Sequence, residues 1–160
     1  MPSAKELEEL FWKDLKSDMT VMLGAEGVED GHLRPMTAQI EGDHGPIFMF
    51  TSKDTALGGI KGARKAQLAF VSKNHELFAA VHGKLSLDSD RETIERLWSP
   101  FVEAWFEKGK DDPKIALLRF EPETAEIWQN ENSILAGAKT LFGSDPKADY
   151  KDKVAKVAMR

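Results

Sequence analysis

Seven short segments with the composition of β-strands constrain the fold of this chain more than any other feature of its sequence. Most of them are separated by turns of hairpin length, in which glycine, proline, asparagine and aspartate are concentrated. Strands joined by hairpins pair antiparallel, because a parallel pair needs a long crossover connection. The predicted strands are residues 19–23, 32–40, 46–52, 67–72, 77–87, 115–120 and 124–128. We therefore predict a mainly β protein, a small antiparallel barrel or half-barrel with peripheral helices.

The predicted strand 77–87 has the clearest division between two faces. Apolar side chains alternate with smaller or more polar ones, as in a strand that has one face on a core. The apolar face is Leu77, Ala79, Val81, Leu85 and Leu87, and the other face is Ala80, His82, Lys84 and Ser86. The pattern predicts that the first set is buried inside the barrel.

Helical patterns lie between and around these strands. Ser3 and Glu6 form a capping box that predicts a helix over residues 4–16. A stretch loosened by glycines, from 55 to 65, predicts a short helix, and Asp88 or Asp90 can cap another helix that continues after Pro100. Residues 134–160 are polar and lysine-rich, with weak helical periodicity. We predict one domain over residues 1–133 and a polar, helical C-terminal extension over residues 134–160.

Composition disfavours several classes of function. The 160 residues are the length of one domain and contain no cysteine, which excludes disulfides, thiol nucleophiles and thiolate metal sites. A net charge of -5 disfavours nucleic-acid binding. The apolar runs are shorter than the roughly 18 residues that a membrane span needs, and the charged start does not resemble a signal peptide. The four histidines lack the spacing of a metal site. We expect a cytoplasmic protein with neither a nucleic-acid nor a membrane partner.

Two segments are candidates for a binding site. Arg34-Pro35-Met36-Thr37 places a charged residue beside a proline, which puts the strand at an edge or a bulge and leaves backbone groups free. Free N–H groups and a guanidinium suit an anionic group of a ligand. Phe50-Thr51-Ser52 ends the next strand and offers two hydroxyls near the same rim. The alternative for Arg34 is a salt bridge at a strand edge.

Trp128 differs from the other three tryptophans. It ends a strand and is followed by the polar residues 129–133, so that its ring can cover a planar ligand. A structural role stays open for it. Trp12, Trp98 and Trp105 lie among apolar residues in helical patterns and are predicted to belong to the core or to a dimer interface.

Several of these motifs occur together in one known family. They are Arg34-Pro-Met, Ile47-Phe-Met-Phe-Thr-Ser52, His82-Gly-Lys-Leu-Ser-Leu, Asp90-Arg-Glu-Thr-Ile-Glu-Arg-Leu-Trp-Ser-Pro100, Trp105-Phe106, Gly109-Lys-Asp-Asp-Pro113 and Glu126-Ile-Trp-Gln129. With them the sequence resembles the pyridoxamine 5'-phosphate oxidase-like flavin-binding split barrels, and within these the general stress protein 26 group. The resemblance runs from about Leu7 to Ser133.

The resemblance implies a six-stranded antiparallel split β-barrel that forms a homodimer, with two FMN sites at the subunit interface; FAD is the alternative cofactor. It implies that residues 34–37 run along the flavin ring, with Met36 and Thr37 in contact with it. Residues 50–52 then lie near the ring and the ribityl chain. In this resemblance Trp128 reaches the flavin of the partner subunit.

The sequence departs from the family where a lysine usually binds the flavin phosphate, because Leu57 occupies that place. Lys53, Lys61, Arg64 and Lys65 are the candidate replacements, and we select Lys61 as the predicted phosphate ligand. We expect a flavin-dependent redox protein that acts on an unknown small molecule, with catalytic residues unknown. The alternatives are a non-catalytic flavin-binding or sensing stress protein, and a dimeric module without flavin. Residues 130–133 replace the family's Arg/His substrate motif, so pyridoxamine phosphate oxidase activity itself is not expected.

Overall fold

The computed structural model describes residues 2–130 and 154–159. The helices and strands along the chain are α1 (Ala4–Ser17), β1 (Thr20–Ala25), β2 (Arg34–Thr37), β3 (Gln39–Ile40), β4 (Ile47–Ser52), β5 (Arg64–Val71), β6 (Leu77–Leu87), α2 (Arg91–Leu97), α3 (Pro100–Glu103), β7 (Ile115–Gln129) and β8 (Val154–Ala158). Every strand pair in the described residues is antiparallel. The prediction of a mainly β, antiparallel fold is confirmed.

The sheet curls into a nearly closed barrel. Its strand order is β2-β1-β5-β6-β7-β4-β3, with β8 added beside β7. The first and last strands of this order, β2 and β3, are separated in sequence by Ala38 alone. One interrupted segment therefore pairs with β1 through β2 and with β4 through β3, which brings the two ends of the sheet together. This is a split β-barrel, as expected, with eight strands in the described residues rather than six or seven.

The predictions for the two strands near Pro35 and Pro122 are wrong in part. Pro35 lies on β2 at the end of the sheet order, which confirms the edge position, but the strand predicted for 32–40 is divided at Ala38. The strands predicted for 115–120 and 124–128 are one continuous strand, β7. Pro122 is accommodated because the register shifts between His82 and Gly83, where β7 contains one residue more than β6. Such a bulge tolerates a residue without an N–H donor.

The predicted helices agree with the structure to different extents. Helix α1 begins as predicted, with the Ser3 hydroxyl accepting a hydrogen bond from the Glu6 N–H at 3.1 Å. The helix predicted for 55–65 is wrong: only the single turn Leu57–Gly59 is helical, and Gly62 has a φ of 69°, which no helix contains. The helix after Pro100 also ends early, at Glu103.

The predicted C-terminal helical extension differs from the structure where the two can be compared. Residues 131–153 lie outside the described residues, whereas Val154–Ala158 form strand β8, paired antiparallel with the second half of β7. The helix prediction is therefore wrong for this stretch. Ala155, Val157 and Met159 are partly buried against the main core, whereas Lys156 and Ala158 are exposed, which is the two-residue period of a strand with one face on a core. The domain boundary at residue 133 stays a prediction.

The main core fills the barrel. Leu23, Leu68, Val81 and Ile127 are fully buried in it, and α1 adds its apolar face. Leu87, which was predicted to be buried with the same face of β6, is 38% exposed because it ends the strand beyond the core.

Helices α2 and α3 cover the outer face of the barrel at β4 and β7. Phe48 of β4 and Leu117 of β7 pack against Leu97 of α2, and Val102 of α3 packs with Phe106 and Ile115. This second layer brings the segment after Pro100 next to the end of β4. Within the part of the chain that the structure describes, none of the helices is long and apolar enough to serve as a transmembrane segment.

Gly83 is the residue on which the bulge depends most directly. A Cβ atom at this position would lie 2.1 Å from the backbone oxygen of Glu121. Gly83→Ala is expected to lower the free energy of unfolding by about 1–3 kcal/mol, because the two strands must move apart. Urea unfolding measures this loss. Gly59→Ala is the matched control, since the nearest atom to its Cβ would be 3.8 Å away; equal unfolding midpoints for the two variants would contradict the prediction.

Candidate functional site

A pocket of ≈ 430 Å³ lies beside the point where β2 and β3 meet the end of β4. One side is formed by the strand segments and the other by residues of α3 and the turn that follows it. The lining residues are Thr20, Pro35, Met36, Thr37, Gln39, Phe50, Thr51, Ser52, Thr55, Phe101, Val102, Trp105 and Phe106. The pocket combines aromatic rings, hydroxyls and one side-chain amide.

The structure brings together six of the nine predicted site residues in this pocket. They are Pro35, Met36, Thr37, Phe50, Thr51 and Ser52. The first three come from β2 and the last three from β4, and these strands meet only because the barrel closes. Their convergence forms one wall of the pocket, and their contact with a flavin stays a prediction. The other three predicted residues, Arg34, Lys61 and Trp128, do not line the pocket.

The turn after β4 is built from the hydroxyl of Thr55. This hydroxyl donates a hydrogen bond to the Ser52 carbonyl at 2.7 Å and accepts one from the Gly58 N–H at 3.0 Å. It also lies 3.1 Å from the hydroxyl of Thr51. A Cβ at Gly58 would lie 1.9 Å from the Ser52 carbonyl oxygen, so only glycine fits there. The turn holds Thr51 and Ser52 in place at the rim of the pocket.

Two exposed aromatic side chains form the opposite wall. Phe101 is 62% exposed and Trp105 is 77% exposed, although both line the pocket. Behind them, Trp98 contacts Phe50 edge-on, with ring centroids 5.8 Å apart, and lies 5.9 Å from Phe106. The core position that was one of the two predictions for Trp105 is therefore wrong, whereas Trp12 is buried as predicted.

Sequence reasoning missed the aromatic wall as part of a site. Phe101 and Trp105 are four residues apart and alternate with Val102 and Phe106, which are buried. That spacing marks an apolar stripe on the segment after Pro100, a pattern that by itself indicates helix core or a dimer interface rather than a ligand site. Thr20 and Gln39 carried no signal, because only closure of the barrel brings them to the pocket. Thr55 follows Ser52 by three positions and lies in the stretch that was predicted to be a short helix.

Helix α2 is tied to the turn after β3 by an ion pair. Arg96 of α2 donates to Glu41, in the turn after β3, at 2.8 Å, and this hydrogen bond lowers the pKa of the Glu41 carboxyl. Asp90, at the start of α2, accepts a hydrogen bond from the Thr93 hydroxyl, which lowers the pKa of Asp90. Both carboxylates stay ionised at neutral pH, so the tether between α2 and the turn is intact there.

Arg34 is engaged by an acidic neighbour. Its guanidinium forms an ion pair with Glu29, and the side chain is three-quarters buried. Its Nε is buried and has no hydrogen-bond partner among the described residues. Arg34 pairs across the ladder with the buried Leu23. The structure thus contains the salt bridge at a strand edge that was the alternative interpretation of this residue.

The candidate phosphate ligands lie away from the pocket lining. Lys61 is exposed in the loop before β5, and Leu57, where the family places a lysine, is 1% exposed in the main core. Arg64 donates to the Glu26 carbonyl at 3.4 Å. Lys53 and Lys65 have exposed side chains and do not line the pocket either. The role predicted for Lys61 stays untested.

Trp128 lies on the outer face of the sheet. It pairs with Phe78 of β6, and its neighbour Ile127 points into the core. Strand β4, which lines the pocket, pairs with the first half of β7, Ile115–Phe120, whereas Trp128 lies in the second half, between Phe78 of β6 and Val154 of β8. Within one chain, Trp128 therefore does not line the pocket.

A family model and a characterised relative point to the same family. Residues 6–144 match the family model described as "Pyridoxamine 5'-phosphate oxidase like". General stress protein 26 of Bacillus subtilis (strain 168) is 34% identical over 65 residues, which span 41% of this chain and 41% of that protein.

Solved structures extend this similarity over most of the fold. A general stress family protein from Xanthomonas campestris pv. campestris has 58% identity and a TM-score of 0.77, covering 83% of this chain and 93% of that one. A protein from Xanthomonas citri described as a general stress FMN/FAD binding protein has 60% identity and a TM-score of 0.76, covering 81% and 92%. A general stress protein 26 from Jannaschia sp. has 31% identity and a TM-score of 0.77, covering 96% and 99%.

The hydroxyl of Thr55 is expected to stabilise the rim of the pocket. Thr55→Val removes it at nearly constant volume and leaves the Gly58 N–H without its acceptor, which costs about 1–3 kcal/mol of unfolding free energy. Thr55→Ser keeps the hydroxyl and is the matched control. Urea unfolding compares the two variants; a Val variant as stable as the Ser variant would show that the hydroxyl does not hold the turn.

Proposed function

Because the chain belongs to the pyridoxamine 5'-phosphate oxidase-like family, in its general stress protein group, we propose that the pocket beside β2–β3 and β4 binds the tricyclic ring of a flavin, FMN or FAD. The observation that carries the proposal is the convergence of Pro35–Thr37 with Phe50–Ser52 around one pocket. The 60% identical protein of Xanthomonas citri, described as FMN/FAD binding, supports it.

The residues of the pocket suit a flavin ring. A flat tricyclic ring needs apolar surface on its faces and hydrogen-bonding groups at its polar edge. Met36 and Pro35 offer apolar surface on the strand side, and Phe101 and Trp105 offer aromatic surface on the other. The Gln39 amide and the hydroxyls of residues such as Thr37 supply donors and acceptors around them. The volume of ≈ 430 Å³ is in the range of small-molecule sites.

We propose further that two copies of the chain form a homodimer through the outer face of the sheet. Pro35, Met22, Ala69 and Ala80 form a row across β2, β1, β5 and β6, by the observed register. Val71, Phe78 and Trp128 form a second apolar row beside it. Val71 is 46% exposed and Met22 is 37% exposed, an apolar sheet surface that a second copy would cover.

This dimer explains how Trp128 can contribute to a site. Pro35 belongs both to the outer face and to the pocket lining, so the pocket opens at the edge of the proposed interface. Trp128 lies on the same face at its other side. A two-fold axis through such a face exchanges its two sides, which brings the Trp128 ring of one copy towards the pocket of the other.

A bound flavin supplies electron- or hydride-transfer chemistry, and the protein supplies binding and orientation. Among the described lining residues, the hydroxyls, the Gln39 amide and the aromatic rings can orient a ring, and none of them is an acid or base near neutral pH. We propose a cytoplasmic redox protein that acts on a small molecule. Failure of NADH and NADPH to reduce the bound flavin, together with failure of all acceptors to reoxidise it, would favour the non-catalytic binding or sensing alternative.

The aromatic side chains provide the test of flavin binding. The purified protein is expected to be yellow and to release a fluorescent flavin on heating. Trp105→Ala and Trp128→Ala are each expected to weaken flavin binding by about 1–3 kcal/mol, the scale of aromatic stacking on a planar base. Isothermal titration calorimetry measures the affinities. Leu87→Ala removes an exposed apolar side chain outside the pocket and serves as control; wild-type affinity in both tryptophan variants would show that the site is misplaced.

The outer face is the test of the dimer. Ala69→Arg places a charge in the middle of the proposed interface and is expected to give a monomer with weakened flavin binding, because the partner subunit's Trp128 is lost. Sedimentation velocity measures the mass, and far-UV circular dichroism verifies folding. Ala63→Arg, on an exposed loop residue, is the matched control. A wild-type monomer, or a dimeric Ala69→Arg variant, would contradict the proposed interface.

A further inference from the structure

We propose that Glu41 and Arg96 are positioning residues of the pocket: their ion pair holds the aromatic wall in place against the strands, and the affinity for a flavin depends on it although neither side chain lines the pocket. This inference rests on the proposed function and adds to the same site two residues outside its lining. It depends on three observations: how the strand side of the pocket is held, how the aromatic wall is held, and the geometry of the ion pair between them.

The strand side of the pocket is held least firmly at β3. This strand has two residues, of which Gln39 lines the pocket. It pairs with β4 through a ladder of the same length, and a short hairpin is marginally stable by itself. The Lys16 ammonium of α1 donates to the Gly42 carbonyl in the turn that follows, at 2.9 Å. Glu41 of the same turn pairs with Arg96 of α2. The placement of Gln39 therefore depends on how this turn is attached to the helices.

The aromatic wall is held through Trp98, which follows directly after α2. The Trp98 ring contacts Phe106 on the helix side of the pocket, with ring centroids 5.9 Å apart, and Phe50 on the strand side, with centroids 5.8 Å apart. Arg96 lies two residues before Trp98, in the last turn of α2. A displacement of the end of α2 is therefore transmitted through Trp98 to both sides of the pocket, because closely packed side chains transmit strain.

The ion pair has the geometry of a two-point contact. The Arg96 Nε donates to the Glu41 Oε2 at 2.8 Å, and the Arg96 Nη2 donates to the Glu41 Oε1 at 3.3 Å. The same Nη2 donates to the hydroxyl of the buried Thr93 at 3.1 Å, and that hydroxyl donates to Asp90 at 2.8 Å. A planar guanidinium in such a network orients the carboxylate as well as attracting it. The pair thus joins the turn after β3 to α2 in a defined orientation.

The expected size of the effect follows from the exposure of the pair. A ligand gains from walls that are already in place, because ordering them does not then reduce the free energy of binding. The side chains of Glu41 and Arg96 are 39% and 51% exposed, and ion pairs at such exposure contribute modestly. Loss of the pair is therefore expected to weaken flavin binding about two- to fivefold rather than to abolish it. Salt screens the pair, so this difference is expected to shrink at high ionic strength.

The experiment reverses one charge of the pair and then both. Isothermal titration calorimetry measures the FMN affinity of the full-length protein at about 50 and 500 mM NaCl. Arg96→Glu is expected to weaken binding about fivefold or more at low salt, since two carboxylates then face each other. The double variant Glu41→Arg/Arg96→Glu is expected to return to within about twofold of wild type. Recovery identifies the pair itself, because damage at Arg96 alone, such as loss of its bond to Thr93, would persist in the double variant.

Arg91→Glu is the matched control. Arg91 lies on the same helix and is half exposed, but it donates to the Lys110 carbonyl at 2.7 Å and to the Asp111 carboxylate at 2.5 Å, which follow the aromatic wall in sequence. Its FMN affinity is expected to stay within about twofold of wild type. Far-UV circular dichroism and urea unfolding verify that each variant is folded. If Arg96→Glu does not fold, Arg96→Gln removes the charge alone and is expected to show the loss of about two- to fivefold.

The outcomes separate the inference from the proposed function. Wild-type FMN affinity in the folded Arg96 variant, an equal loss in Arg91→Glu, or no recovery in the double variant would each overturn the inference and leave the proposed function standing. A wild-type protein that binds no FMN would refute the proposed function and the inference together.

Discussion

Closure of the barrel through the interrupted segment β2–β3 is the constraint on which the site depends. Ala38 is 1% exposed, and its N–H donates to the carbonyl of Met19, the residue before β1, so this buried residue makes the last hydrogen bond to the β1 side before the chain pairs with β4. The residues before it pair with β1 and those after it pair with β4. A segment that changes pairing partners cannot form every hydrogen bond of both ladders. The pocket lies at the resulting seam, where β2 and β3 meet the end of β4. The edge strand and the cavity are consequences of the same change of partner.

A second layer turns this seam into a bounded pocket. Helices α2 and α3 bury their apolar residues against the outer face of β4 and β7, and the ion pair of Arg96 with Glu41 links α2 to the turn that follows β3. Phe101 and Trp105 are left facing the seam because Val102 and Phe106 occupy the buried side of the same segment. Burial of one set of side chains thus determines the placement of the exposed aromatic wall.

Much of the sheet, and the side of the pocket that the strands form, could be predicted from the sequence because both depend on local patterns. Alternation gave the bounds of β6 at Leu77 and Leu87, and Pro35 indicated the edge strand. Residues 34–37 and 50–52 stood out as unusual strand ends, and six of these seven line the pocket. The same local reasoning failed for Pro122, since whether a proline ends a strand or lies in a bulge depends on the strand opposite. It failed for Thr55–Lys65 because glycine permits several conformations, and tertiary contacts selected a turn.

By itself, the sequence determined the antiparallel β class, the edge position of Pro35, the capped first helix and the likeness to a family of split barrels, since each follows from neighbouring residues or from a motif. Tertiary structure alone decided that Thr20 and Gln39 share a cavity with Trp105, that Arg34 forms an ion pair with Glu29, and that Trp128 lies in the half of β7 that does not pair with β4. The reason is physical: strand closure and helix packing bring together residues distant in sequence, and no local pattern records the distances that result.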